Sequence, residues 1–432
     1  MKINNKKLKL NFPGWIFYIY LFLISAPIFV KISSQGIKWA DYLMGIRQGF
    51  TMNVGILLLS VFIPLLGFKL FKTAKLKVGY FGKLIIMYCC VCFLVMLYGQ
   101  LKDIRMIRLL LLGQVVTPFI AYFYILNFSE YIKPKVIKGI LIFSLILQFC
   151  LFLYFNYRLS GSNIFTSSIY FEIKGTPHYI YGAYDYYPIL FLTLVIFFHG
   201  VVDRKKDLFQ KNVFTILIIA LYAYGLMFHS RNSLIALIFL FAFYLFKRIK
   251  EKSFFRFFVW MTVLTVLLII LCPSVLSQND SFTRLTTTIN NYFNQKIQDT
   301  STQGRAKALL YTFKIMREDP LCGIAFEWPY AAHNQYLSIL GISGMISFSI
   351  FILLMWRIYM KLNQDFYFYR KNHQNASSAG AMQAIFILFI ISSLFQNNFT
   401  VTYTSCIFWA LIGVYEISNK ALVENKTGLI GE

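Results

Sequence analysis

Acidic residues are scarce in this chain. Its 432 residues hold 17 Asp and Glu against 42 Lys and Arg, and the four types together make up only 14%. Soluble domains carry about 25% charged residues to cover their surface, so a soluble globular protein is excluded. Histidine is rarer still, at five. The seven cysteines are Cys89, Cys90, Cys92, Cys150, Cys272, Cys322 and Cys406, and no pair has metal-site spacing with histidine partners. Cys89, Cys90 and Cys92 fall inside an apolar run, where they read as small polarizable packing residues. No internal repeat relates the two halves, which argues against an inverted-repeat transporter.

What is abundant is apolar. Hydrophobic residues make up 58% and aromatics 19%, with 46 Phe and 29 Tyr. This composition predicts an all-α fold: a polytopic integral membrane protein. A membrane span takes roughly 17–25 mostly apolar residues, and about twelve stretches qualify. They are centred on 15–32, 52–71, 82–99, 107–127, 136–156, 187–202, 212–228, 232–247, 256–276, 335–358, 381–397 and 400–416. The basic front followed by an apolar run in "MKINNKKLKLNFPGWIFYIYLFLISAPIFV" has the shape of a signal peptide. The run is long and lacks a small-residue cleavage site, so an uncleaved first helix is expected.

The formal net charge is +25. In a soluble protein this would suggest nucleic acid. Here Lys and Arg sit between apolar segments, so no nucleic-acid partner is expected. Anionic lipid contact accounts for part of the charge and an anionic substrate for the rest. Lys2, Lys6, Lys7 and Lys9 precede the first span, and Lys72, Lys75 and Lys77 follow the second. Lys133, Lys135 and Lys138 follow the fourth, and Arg204, Lys205, Lys206 and Lys211 the sixth. The runs after the eighth (Lys247, Arg248, Lys250, Lys252, Arg256) and the tenth (Arg357, Lys361, Arg370, Lys371) complete the series. With twelve spans all of these share one side, which the positive-inside rule makes cytoplasmic, with both termini inside.

The chain then divides into 1–276 with helices one to nine, an extracytoplasmic loop over 277–334, and 335–432 with helices ten to twelve and a cytoplasmic tail. The large loop thus lies between helices nine and ten. A second long outer segment, 157–186, is rich in Tyr, Ser and Gly; its tyrosines near 179–187 suit stacking on sugar faces. His178 there reads as plain surface, and His199, His229 and His373 have no partner pattern. Cys272 and Cys322 both map to the outer face, where their pairing is left open.

Within the large loop, "GRAKALLYTFKIMREDP" carries Ala306, Leu309, Leu310, Phe313 and Met316 at three- and four-residue spacing. That single apolar stripe predicts an amphipathic helix lying on the outer membrane face. Ser301 or Thr302 is the expected N-cap and Asp319-Pro320 the stop. Arg305 then falls in the first turn, where free backbone N–H groups favour an anion. "LCGIAFEWPYAAHN" follows, with Phe326, Trp328 and Tyr330 suited to the interfacial belt. It delivers His333 and Asn334 to the start of the tenth span. Arg231, in "MFHSRNSLIAL", occupies the tight outer turn between the seventh and eighth spans. Arg105 and Arg108, at the outer start of the fourth span, are candidate pyrophosphate contacts, with anchoring as the plainer reading.

At these residues the chain resembles the O-antigen polymerase and O-antigen ligase superfamily of bacterial envelope glycan enzymes. The likeness rests on Arg231 before an apolar helix, on Gly304-Arg305 opening the amphipathic helix, and on Asp319, Pro320, Leu321 and Gly323. His333, Asn334, Tyr336 and Leu337 follow, with Leu340 and Gly344 in phase. Two positions depart from the pattern: Ile342 stands where an acidic residue is frequent, and Ser347 replaces a second glycine. The resemblance implies a donor glycan on undecaprenyl pyrophosphate at the outer leaflet of the cytoplasmic (inner) membrane. The glycan passes to the hydroxyl of an acceptor glycan or lipid. Arg231 and Arg305 would stabilise the leaving pyrophosphate, which suits bidentate guanidinium groups. His333 would be the general base, with Asn334 orienting it or the sugar.

No Asp-x-Asp or dense carboxylate cluster occurs in the outer loop, so neither metal nor cofactor is expected. Membrane lipids and a chain-length regulator are further implied partners. The leading function is a repeat-unit polymerase for O-antigen or capsule; the second is a ligase attaching finished glycan to lipid A-core or another acceptor. A flippase for lipid-linked sugars is the third, and the near absence of charge within the spans disfavours it.

Overall fold

A computed structural model of the chain describes residues 12–25, 54–133, most of 136–147, 170–173, 176–179, 193, 300–327, 334–371, 377–394 and 402–427. Among these, the elements are α1 (Phe12–Ser25), α2 (Val54–Thr73), α3 (Gly82–Lys102), α4 (Met106–Asn127), α5 (Thr300–Glu318), α6 (Gln335–Lys371), α7 (Ser377–Ser392) and α8 (Thr402–Thr427). One short antiparallel hairpin, β1 (Tyr170–Ile173) with β2 (Thr176–Tyr179), pairs Phe171 with His178. It is a small departure from the expected all-α fold. Apart from residue 193, the spans expected at 187–202, 212–228, 232–247 and 256–276 lie outside the described residues.

Among the described residues, three helices are long and apolar enough to cross a membrane: Gly82–Lys102, Met106–Asn127 and the Gln335–Tyr369 stretch of α6. Phe12–Ser25 and Ser378–Ser392 are shorter apolar helices. Apolar burial between helices in lipid gains mainly dispersion and close packing rather than release of water. Ring contacts supply much of that packing here. α4 lies at the centre, with Phe119 4.6 Å from Trp409 of α8 and Tyr124 stacked 3.9 Å from Phe62 of α2. Phe62 in turn meets Tyr20 of α1 edge-on at 5.0 Å. On the other side α6 packs against α3, α5 and α7.

Hydrogen bonds sort the helix ends into two groups. At one end Asn127 terminates α4: its amide donates to Phe123 O (2.9 Å) and Lys77 O (3.0 Å) and accepts from Lys77 N (2.8 Å). The hydroxyl of Tyr124 reaches Pro13 O at the start of α1 (2.8 Å). Glu416 of α8 accepts from the Tyr122 hydroxyl and the Tyr80 amide, both at 2.7 Å. Lys69, Lys77, Lys133 and Lys361 belong to this end. The opposite end holds the α3–α4 turn, residues 319–327, and Asn334 beside Leu394. α3, α4 and α6 therefore run from one end to the other, and Tyr131 and Asn334 lie at opposite ends.

Several helices differ from their predicted limits, among them α8, which runs on to Thr427 past the apolar limit at 416. α6 continues to Lys371, well past the apolar limit at 358. Its polar extension is supported by Lys361 and Asp365 at 2.6 Å, one turn apart, and by the Tyr415 hydroxyl donating to Asp365 at 3.1 Å. α5 begins at Thr300, earlier than the expected caps at Ser301 or Thr302, because the polar "TSTQ" run is itself helical. Arg305 consequently sits in the second turn rather than the first. The free N–H groups belong to the residues before it, so its predicted help from the helix start is lost.

Candidate active site at the α6 end of the bundle

α6 is not continuous. At Gly344 the backbone has φ 75° and ψ −177°, a conformation open essentially to glycine alone. The amides and carbonyls released by this break are satisfied by residues 320–326, which lie alongside. Ile324 N donates to Gly341 O (2.8 Å), Phe326 N to Ile342 O (3.2 Å), and Met345 N to Pro320 O (2.9 Å). Backbone polar groups within a membrane must find protein partners, and here a loop supplies them to a helix. The loop turns sharply to do so. Gly323, Ala325 and Phe326 all have positive φ, at 59°, 46° and 61°, and Asp319 Oδ1 accepts from Cys322 N at 3.1 Å. The Asp-Pro-Leu-x-Gly run is thus the turn that lets the chain leave α5 and pair with the broken helix.

α5 packs on α6 through a face other than its apolar stripe. Thr312 and Ile315 are buried, while Leu310 and Phe313 are 69% and 60% exposed. Leu101, Ile104, Met106 and Leu321 are exposed at the same end. Leu309, Leu310 and Phe313 of the stripe are left facing outward, as suits a helix resting in a lipid interface, while Met316 packs against the core.

Asn334 caps α6. Its Oδ1 accepts from Tyr336 N (3.0 Å) and Leu337 N (3.1 Å), and its Nδ2 donates to Leu394 O (2.9 Å). Gln335 N donates to Ser393 O at 2.8 Å, and the Tyr336 hydroxyl to Ile390 O at 3.1 Å. The start of α6 is thereby pinned to the end of α7, and the position just before the cap is His333. Asn334→Ala is expected to lower stability by about 1–2 kcal/mol. Asn334→Asp, which keeps the cap acceptor, is expected to lose less than half of that; thermal unfolding of both variants in one detergent makes the comparison.

Arg105 and Arg108 sit at this same end with different surroundings. Arg105, half exposed, pairs with Asp103 and with Glu327 at 3.0 Å. Lys102 meets Asp319 at 3.2 Å. Arg108 is 3% exposed, and its Nη1 donates to Ile324 O (3.3 Å) and Ala325 O (2.5 Å). Gly99 of α3 makes room for it: a Cβ there would lie 2.8 Å from Ala325 O and would collide with the guanidinium. The Cys322 thiol nearby is free. Burial raises its pKa, the Asp319 carboxylate adds to the rise, and Lys102 opposes it.

Of the residues singled out by sequence, Asn334, Arg105 and Arg108 are therefore gathered at one end, together with the 319–327 loop. Arg231 and His333 lie outside the described residues, as do Cys272 and the Arg305 side chain, although the Arg305 backbone is in α5. Sequence reasoning missed the break itself and the role of Gly99. Only the two glycines of "LGISG" signalled the break. Among the described residues no group of three His, Cys, Asp or Glu is placed to hold a metal ion.

Residues 213–352 match a family model described as O-antigen ligase. That span contains Arg231, α5, the 319–327 loop, His333, Asn334 and the α6 break. Among curated proteins, none matches the chain.

Proposed function

With residues 213–352 matching that family, the chain belongs to the O-antigen polymerase and ligase superfamily, and we propose that it is the polymerase. In this reading it joins lipid-linked oligosaccharide repeat units at the outer face of the bacterial cytoplasmic membrane. The acceptor sugar hydroxyl attacks the anomeric carbon of the donor glycan. The bond from that carbon to the undecaprenyl pyrophosphate oxygen breaks, and the hydroxyl proton goes to the imidazole of His333. Arg231 and Arg305 meet the charge that develops on the departing pyrophosphate. The end of the bundle holding Lys69, Lys77, Lys133 and Lys361 is cytoplasmic by the positive-inside rule, so the end with Asn334 and the 319–327 loop faces outward. The family match over 213–352 supports glycan transfer, by polymerase and ligase alike, and that span contains Arg231, Arg305 and His333.

Polymerase is preferred to ligase because of Ile342. The position that is frequently acidic in the family is here apolar, 8% exposed, and set in the helix break. Analysis of envelope glycan in a deletion strain separates the two. Single repeats on the acceptor indicate a lost polymerase, unattached long chains a lost ligase, and accumulation on the inner leaflet a lost flippase. Transfer by the purified protein is also expected to be insensitive to EDTA, because two arginines take the place of a divalent cation at the pyrophosphate. Loss of transfer on chelation, restored by added Mg²⁺ or Mn²⁺, would contradict that assignment.

A further inference from the structure

We propose that Arg108 is a positioning residue. From inside the bundle it clamps residues 319–327 onto the break in α6, and so sets where α5 stands relative to the start of α6. The consequence for catalysis rests on the reading above, in which α5 carries Arg305 and His333 immediately precedes the cap of α6. The clamp itself does not.

The two helices are joined through the loop, and the loop is held from two sides. On one side three backbone hydrogen bonds link it to α6 at Gly341, Ile342 and Met345. On the other, Arg108 of α4 donates to consecutive loop carbonyls, those of Ile324 and Ala325. These are the residues whose amides serve α6 or lie next to ones that do. The Ala325–Phe326 peptide therefore bridges α4 and α6, its carbonyl on Arg108 and its amide on Ile342 O. The exposed pairs Lys102–Asp319 and Arg105–Glu327 flank the clamp and contribute little by comparison, since surface ion pairs are screened. A buried guanidinium is costly to desolvate, and a leucine would fill the same space without that cost. Its position makes sense if its Nη1 fixes the loop at the Ala325 carbonyl, since Ile324 O also accepts from Glu327 N at 3.0 Å and the buried Arg108 Nε has no partner among the described residues. Gly99 supports the same account, because α3 lacks a side chain where the guanidinium meets Ala325.

The competing reading makes Arg108 a direct contact to the pyrophosphate. Cys322 separates the two, because its thiol lies in the clamped loop and is half-buried. In the folded, detergent-solubilised full chain, Arg108→Gln is expected to raise the alkylation rate of Cys322 by N-ethylmaleimide about tenfold, as local opening becomes easier. Cys90, exposed on α3, and Cys406, buried in α8, are read by mass spectrometry in the same samples and should be unchanged. Arg108→Lys, which keeps one donor group, should recover part of the protection. Gly99→Ala keeps the charge and pushes on the same contact, so it should give the same Cys322-specific rise; it decides the matter if Arg108→Gln also loosens Cys406. An unchanged Cys322 rate in a folded Arg108→Gln or Gly99→Ala protein overturns the clamp.

On lipid-linked repeat units extracted from a deletion strain, Arg108→Gln should lower kcat and leave KM unchanged. A raised KM with normal kcat would instead support the direct contact and contradict the positioning role. Should the polymerase reading itself fail, the wild-type protein would not turn over these units either, while the Cys322 rates would still decide the clamp.

Discussion

His333→Ala is expected to stop glycan transfer, lowering kcat by about 10²–10⁴-fold, the usual worth of a positioned general base, while the protein folds and reaches the membrane normally. The separation of activity from folding follows from the capping geometry. Asn334 holds the α6 start through its own side chain, bonded to Tyr336 N, Leu337 N and Leu394 O. None of these bonds involves the preceding residue, so removing the imidazole leaves the cap intact. His178→Ala, in the β1–β2 hairpin, should retain activity and serves as the matched control. The same assay should show activity falling as acid protonates the imidazole, since a protonated base cannot accept the acceptor proton. Measured as polymer length in membranes of complemented cells, full activity of His333→Ala at normal expression would remove His333 from the reaction.

The second large effect is structural. Gly344→Ala should destabilise the protein by about 3 kcal/mol or more, with loss of folded material in detergent. Two penalties act together. An L-residue at φ 75° and ψ −177° is strained on its own, and the added Cβ would collide with the Leu321 carbonyl and lie 2.5 Å from Cys322 N. Both obstacles are backbone, so no side-chain rotation relieves them. The loop would have to leave the helix break, breaking its bonds to Gly341, Ile342 and Met345 together. Gly113→Ala is the contrasting case. It lies within α4 with nothing within 4 Å of an added Cβ, and is expected to be neutral or to stabilise by about 0.5–1 kcal/mol through helix propensity. Equal unfolding midpoints for Gly344→Ala and wild type would refute the account of the break.

Much of this architecture can be read from local sequence, and the exceptions share a cause. Asp319-Pro320 ends α5 at Glu318, as a residue before proline leads one to expect. Asn334 before an apolar run marks a helix start. The apolar lengths of α3 and α4 match their hydropathy within a turn. The break in α6 is different, because its reason lies about twenty residues upstream, in amides and a carbonyl of the 319–327 loop that bond to Gly341, Ile342 and Met345. Nothing near "LGISGMIS" announces those partners, and two glycines in an apolar run are equally compatible with an unbroken helix. The extension of α6 to Lys371 escaped for another reason. Hydropathy reports where a helix leaves the membrane, whereas Lys361, Asp365 and Tyr415 keep it helical beyond that point. The amphipathic stripe of α5 was legible, whereas the second face, with Thr312 and Ile315 buried, had no signal in the sequence. A stripe destined for lipid and one destined for protein look alike in sequence. Arg108 illustrates the same limit: an arginine near a span end reads as an interfacial anchor until the carbonyls it meets are known.

The central claim, that this protein lengthens lipid-linked glycans, is tested most directly by reconstitution. Purified full-length protein in proteoliposomes is given undecaprenyl-pyrophosphate-linked repeat units extracted from a deletion strain, and glycan length and free undecaprenyl pyrophosphate are measured together. The polymerase reading predicts a ladder of repeat multiples, with one undecaprenyl pyrophosphate released for each unit joined, and neither product with His333→Ala. Repeat units that stay single and carrier-linked while crossing the bilayer would contradict it.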